Sequence, residues 1–108
     1  MISWNRIWQG NAEEFARHYL ESIPPVEANT PGTMLQAAYT NKQETEAIIL
    51  RVFKDGQAMD AHLESVDRRS YSAYEYIEPT AFEIYASPSA KALSMIRPVV
   101  GNRAHIND

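Results

Sequence analysis

The sequence predicts an α+β domain of the split β-α-β kind: a four-stranded antiparallel sheet with helices on one face. Three observations carry this. Apolar residues alternate with period two in four short stretches and recur every three to four residues in longer ones. These stretches follow one another in the order β-α-β-β-α-β. The chain has 108 residues, 44% hydrophobic and 22% charged, the size and balance of one packed domain.

The elements follow in order. Residues 2–8 alternate, with Ile2, Trp4, Arg6 and Trp8 on one face and Ser3, Asn5 and Ile7 on the other. Gln9, Gly10 and Asn11 turn the chain. Asn11 is a good N-cap, with Glu14 placed as in a capping box. Ala12, Phe15, Ala16, Tyr19, Leu20 and Ile23 then form one helical stripe. Pro24–Pro25 should end or redirect this helix, because proline lacks an amide donor and restricts the residue before it. Residues 32–40 read as a second strand, 41–44 as a polar hairpin loop and 45–53 as a third strand. The third strand is apolar on both faces: Ile48, Leu50 and Val52 on one, Ala47, Ile49 and Phe53 on the other. Arg51 is its only interruption.

Asp55 can cap the next helix, whose inner stripe is Ala58, Met59, His62, Leu63 and Val66. Helical spacing continues through Tyr71 and Tyr74 towards Tyr76–Ile77, with a break near Asp67, until Pro79. Residues 80–86 read as the fourth strand. Ser87 as N-cap, with Pro88 in the first helical position, starts a short extra C-terminal helix. Residues from about 98 to 108 form a tail of unassigned order. The whole chain, 1–108, is therefore one ferredoxin-like domain.

Composition excludes several functions. The net charge is −4 and the basic residues are scattered, so there is no basic stripe for nucleic acid. Absence of cysteine removes disulfides, thiolate nucleophiles and cysteine metal sites. The three histidines, at 18, 62 and 105, lack metal-site spacing, and the four glycines are dispersed rather than gathered into a phosphate loop. No apolar run approaches the ~20 residues of a membrane span. The start, MISWNRIW, has no leader-like pattern, which makes a cytoplasmic location the default expectation. Two helices cover one sheet face only. The other face, with Trp4 and Trp8, calls for a partner, and a second copy of the chain would supply it.

The run Ala47–Ser65, AIILRVFKDGQAMDAHLES, resembles the third-strand-to-second-helix passage of the antibiotic biosynthesis monooxygenase family. The likeness lies in an aromatic-ending strand, a charged turn, and then Ala58, His62, Leu63 and Ser65 in the helix. It implies a dimeric α+β barrel, chemistry without a cofactor, and a cleft between helices and sheet. WNRI at 4–7 also resembles the first strand of the haem-degrading branch, whose asparagine faces the cleft; Asn5 matches it. That branch needs a ligand histidine where this chain has Ser70, Tyr71 and Ser72, and His62 replaces its helix tryptophan, so no haem is implied.

In such oxygenases a bound carbon acid loses a proton and its enolate reacts with oxygen. Asn5 as amide donor and His62 as proton carrier are the plausible catalytic pair. Tyr39, Tyr71, Tyr74 and Arg51 are secondary choices. An apolar ligand, aromatic and polyketide-like or an acyl chain, would be walled by Ile7, Phe15, Tyr19, Ile49, Leu63 and Tyr74. The residues themselves keep a plainer reading open. His62 can be a helix histidine paired with a carbonyl or a tyrosine hydroxyl, and Asn5 can bond a neighbouring strand. The tyrosines can be core and rim aromatics, and His18 solvated. On that reading the domain binds a hydrophobic molecule without chemistry, or serves as a structural dimer.

Overall fold

The computed structural model describes residues 1–29, 31–73, 76–85 and 88–107, with the side chains of 25–27, 29 and 65–73 outside that description. Its elements are β1 (Ile2–Ile7), α1 (Ala12–Asn29), β2 (Thr33–Thr40), β3 (Glu46–Phe53), α2 (Gly56–Ala73), β4 (Ile77–Tyr85), α3 (Ala90–Val100) and β5 (Ala104–Asn107), with a 3₁₀ turn at Gly101–Arg103. The sheet order is β2-β3-β1-β4-β5. The sheet thus has five strands where the sequence predicted four. The first four pair antiparallel; β5 runs parallel to β4, setting Phe82 beside Ala104 and Ile84 beside Ile106. Residues 104–107, assigned above to a tail, are this added strand.

Strand parity sorts the residues as the alternation predicted. Ser3, Asn5 and Ile7 of β1 are buried beneath the helices, with Ala47 and Ile49 of β3. The opposite face holds Trp4 beside Ile48, Leu50 beside Ala37, and Val52 beside Leu35. Among the described residues no helix covers that face. Tyr39 is 63% exposed and Tyr85 60%. Glu83, across from Ile2, accepts the Trp4 indole N–H at 3.1 Å and the Tyr85 hydroxyl at 2.8 Å.

Prolines were the least reliable markers. Helix α1 runs through Pro24–Pro25 to Asn29, and α3 runs through Pro98. β4 starts at Ile77 and includes Pro79. Proline cannot donate to a ladder and is tolerated at a bulge. The register between β1 and β4 shifts there, leaving Thr80 unpaired, and the Thr80 hydroxyl donates to the Trp4 carbonyl at 3.1 Å. The cap of α3 is Ser89, two residues later than predicted: its Oγ accepts the Ala92 N–H at 3.0 Å and donates to Asp60 of α2 at 2.7 Å. Lys91 pairs with Glu64 of α2 alongside. Asp55 does cap α2, its carboxylate accepting the Ala58 N–H at 2.8 Å.

The buried face of α1 is rotated from the predicted stripe. Phe15 and Tyr19 face inward, but Leu20 is 63% exposed, and Glu14 and His18 take the half-buried edge. His18, expected to be solvated, is half-buried, and its ring lies 5.6 Å from that of Tyr76. The core has two clusters. One, under α1, joins Ile7, Phe15, Ala47, Ile49 and Ile77. The other joins α2, α3 and β4 through Met59, Leu63, Ile84, Ala92, Ile96 and Val100. Among the described residues, α3 comes close to β4 at more places than α1 does to any one strand. No helix among the described residues is long and apolar enough to cross a membrane.

Candidate functional site

The inner face of β3 gives a ruler for everything beneath the helices. Its inward residues are Ala47, Ile49, Arg51 and Phe53, in successive rungs. Asn5 pairs with Ala47 and Ser3 with Ile49; on the other side Ala38 pairs with Ile49, Gln36 with Arg51 and Thr33 with Phe53.

At the first rung Asn5 is 3% exposed. Its amide nitrogen lies 3.0 Å from the Ser3 hydroxyl, 3.2 Å from the Ser3 carbonyl and 3.4 Å from the Ala47 carbonyl. An amide with two protons is thus already engaged, and an enolate oxygen would have to displace one of these acceptors. Ile7, Phe15, Tyr19 and Ile49, four of the predicted ligand walls, gather around this end in the α1 cluster.

His62 sits at the far end. It is fully buried, its Nδ1 lies 3.3 Å from the Thr33 hydroxyl, and its ring centroid is 5.3 Å from that of Phe53. Leu63, its neighbour in sequence, belongs to the cluster that joins α2 to α3 and β4. Ala47 and Phe53 lie roughly 20 Å apart along β3 at a strand's ~3.3 Å rise per residue. The structure therefore places both proposed catalytic residues inward but does not bring them together. Tyr74, the remaining predicted wall, lies outside the described residues, as do the side chains of Ser70, Tyr71 and Ser72. Tyr39 is on the outer face.

Between the two ends lies a polar rung that the sequence reading did not assemble. The Arg51 Nε–H donates to Gln36 Oε1 at 2.9 Å. Tyr19 reaches this rung from α1. Burial raises the phenol's pKa above its ordinary value, and the Gln36 side chain and the Arg51 charge pull it partly back. The Met1 ammonium donates to the Arg51 carbonyl at 2.8 Å, and its pKa is lowered by burial and then by the Arg51 charge. The signal was present in outline, since Arg51 interrupts an apolar strand and Gln36 shares its pairing parity.

Among the described residues no group of histidine, aspartate and glutamate is arranged to hold a metal ion. A shallow groove on α3, lined by Ala90, Leu93, Ser94, Arg97 and Pro98, lies away from that helix's buried residues.

Split β-α-β topology, with helices on one face of the sheet, defines a ferredoxin-like α+β domain. No protein-family model and no curated protein sequence matches the chain. Solved structures do share its fold. MupZ from Pseudomonas fluorescens matches at a TM-score of 0.74 and 17% identity, over 99% of this chain and 85% of that one. A provisionally named antibiotic biosynthesis monooxygenase from Bacteroides thetaiotaomicron matches at 0.55 and 20%, over 71% and 78%. At such identities the likeness is one of fold, and it agrees with the architecture that the Ala47–Ser65 resemblance implied.

Proposed function

We propose that the protein binds a mainly apolar small molecule between α1 and the inner face of the sheet, and acts on it as a cofactor-independent monooxygenase does. The observation that carries this reading is the Asn5–Ser3 pair, buried at 3% and 4% exposure on the floor of an otherwise apolar layer. A carbon acid held there would give its proton to water. The enolate oxygen would take the Asn5 amide in place of Ser3, the carbanion carbon would add dioxygen, and the peroxide, once protonated, would lose water to leave a carbonyl at that carbon. Given the rung spacing, His62 shares such a ligand only if the molecule spans most of the sheet; a small one leaves it to Thr33 and Phe53.

The non-catalytic alternative, a carrier for a fatty-acid-like molecule, is favoured by one observation: the Asn5 amide protons are already taken. Oxygen uptake with an anthrone separates the two. The enzyme reading expects uptake that falls about a hundredfold in Asn5→Ala, as when one oxyanion donor is removed. Anthrone binding without uptake supports the carrier, and absence of both overturns the cleft.

The proposal includes a homodimer through the uncovered sheet face that contains Trp4, with Trp8 following on at the end of β1. Burying about 2,000 Å² in this way is typical of obligate pairs. Light scattering over a dilution series should give twice the chain mass at every concentration; a folded monomer at micromolar concentration would refute the pairing.

A further inference from the structure

Among the described residues, the middle of the uncovered sheet face is apolar except at one place. Register sets Ile48, Leu50 and Trp4 at its centre, with Tyr39 and Tyr85 exposed on either side. Glu83 of β4 stands among them, across from Ile2. Covering a carboxylate there costs free energy unless its charge is paired. This one is already half-buried and has a donor on each oxygen: the Trp4 indole N–H at 3.1 Å and the Tyr85 hydroxyl at 2.8 Å. Both donors are neutral, so they hold the carboxylate without cancelling its charge.

β5 brings a titratable base alongside. Its parallel ladder with β4 sets His105 beside Glu83 on the same face, with the strands ~4.8 Å apart. The imidazole is exposed. Other charged groups lie farther off. Arg6, Glu46 and Glu78 are together at the opposite end of the face. Lys54 follows β3, with β1 between it and β4. The Met1 ammonium is taken by the Arg51 carbonyl. Tyr85 has its pKa raised by the hydrogen bond to Glu83 and by that charge, so it stays a neutral donor near neutral pH.

The dimensions of the face say what can cover it. Its five strands, ~4.8 Å apart, and the eight residues of β3, at ~3.3 Å each, span roughly 600 Å² in plan. Side-chain relief raises this towards the ~800 Å² that each partner buries in a stable pair. A second copy brings a face of the same size, with its own Glu83 and His105.

We propose that Glu83 and His105 form the charged part of the contact between two copies of the chain, and that protonating His105 tightens that contact. This deepens the homodimer reading under Proposed function and rests on it. With His105 neutral, pairing covers each carboxylate with its charge intact. With His105 protonated, each carboxylate has a cation on the neighbouring strand, and such charge-assisted pairs act mainly on the rate of dissociation. Pairing therefore strengthens as the pH falls from about 8 to about 6, a range in which histidines titrate and carboxylates do not.

Subunit exchange on the full chain reads this directly. Ordinary and isotopically heavy protein are mixed, and native mass spectrometry follows the mixed dimers. The wild type should exchange about tenfold more slowly at pH 6 than at pH 8, the scale of one charge-assisted contact. Glu83→Gln and His105→Asn should each exchange at one rate at both values. His105→Lys carries its charge at both and should be slow at both, which a merely structural histidine would not produce. His18 and His62 remain in every variant and control for a general effect of pH. Wild-type exchange that is equal at the two values, or faster at pH 6, overturns the assignment and leaves the dimer standing. So does a His105→Lys protein that exchanges as fast as His105→Asn. A chain that is monomeric at both values overturns the pairing and the assignment together.

Discussion

Replacing His62 by alanine distinguishes packing from chemistry at the residue that the sequence made most conspicuous. The imidazole is fully buried, against the Thr33 hydroxyl at 3.3 Å and the Phe53 ring at 5.3 Å. Losing the hydrogen bond costs about 1 kcal/mol. Losing the ring contact costs about 0.5–1.5 kcal/mol beyond area burial. The void adds to both, since α2 is tied to α3 by Ser89–Asp60 and Lys91–Glu64 and can collapse only in part. The sum is about 2–4 kcal/mol. Urea unfolding followed by far-ultraviolet circular dichroism reads it as a lower midpoint at unchanged slope. Thr33→Val isolates the hydrogen bond and should lose about 1 kcal/mol. If His62→Ala unfolds within ~0.5 kcal/mol of wild type, the packing account fails. If it also abolishes anthrone turnover, His62 meets the ligand after all.

Other perturbations are simpler. A methyl group on Gly32 would stand 2.5 Å from the Ala58 Cβ, so Gly32→Ala should destabilise by about 1–3 kcal/mol in the same assay; a neutral result would mean that α2 is loosely seated. Ser89→Ala removes the α3 cap and the Asp60 contact together and should cost about 1–2 kcal/mol, with the loss largely absent when Asp60 is already replaced by alanine if the inter-helix bond dominates over the cap. Tyr19 has its folded pKa raised by burial, so folding is favoured fully below pH 10 and loses that contribution as the pH rises through the folded value; Tyr85 is raised too, by Glu83, so a spectrophotometric titration should show both ionising late, and Tyr19→Phe should remove one of the two and leave the Tyr85 phase.

How far the sequence carried the reading depended on the kind of signal. Alternation in β1 and β3 placed Ser3, Asn5, Ala47 and Ile49 on the buried face without error, because parity is set residue by residue. Helix α1 was harder. Its apolar residues spread over a wide arc, and periodicity alone cannot say which edge of that arc meets the sheet; the structure chose Phe15 and Tyr19 and left Leu20 outside. Proline gives a local cost rather than a prohibition, which is why Pro24, Pro79 and Pro98 sit inside elements. β5 carries almost no signal of its own: four residues, largely exposed, ordered by the edge of β4. The spacing between Asn5 and His62 was less legible for a different reason. Parity fixes a face, while the distance between two residues on one face comes from register, and register comes from how the turns close.

The seating of α1 on a cluster of its own has a kinetic consequence. Segments with fewer close contacts open before the molecule as a whole unfolds, and amide exchange reports them as a separate, less protected tier. Here α2, α3 and β4 share one cluster and brace one another, while α1 rests on the sheet mainly through Phe15 and Tyr19. Lifting α1 would uncover the Asn5 floor and leave the remaining helices seated. The free energy of that partial opening, rather than the diffusion of a guest, would then set how fast anything enters or leaves the layer beneath it.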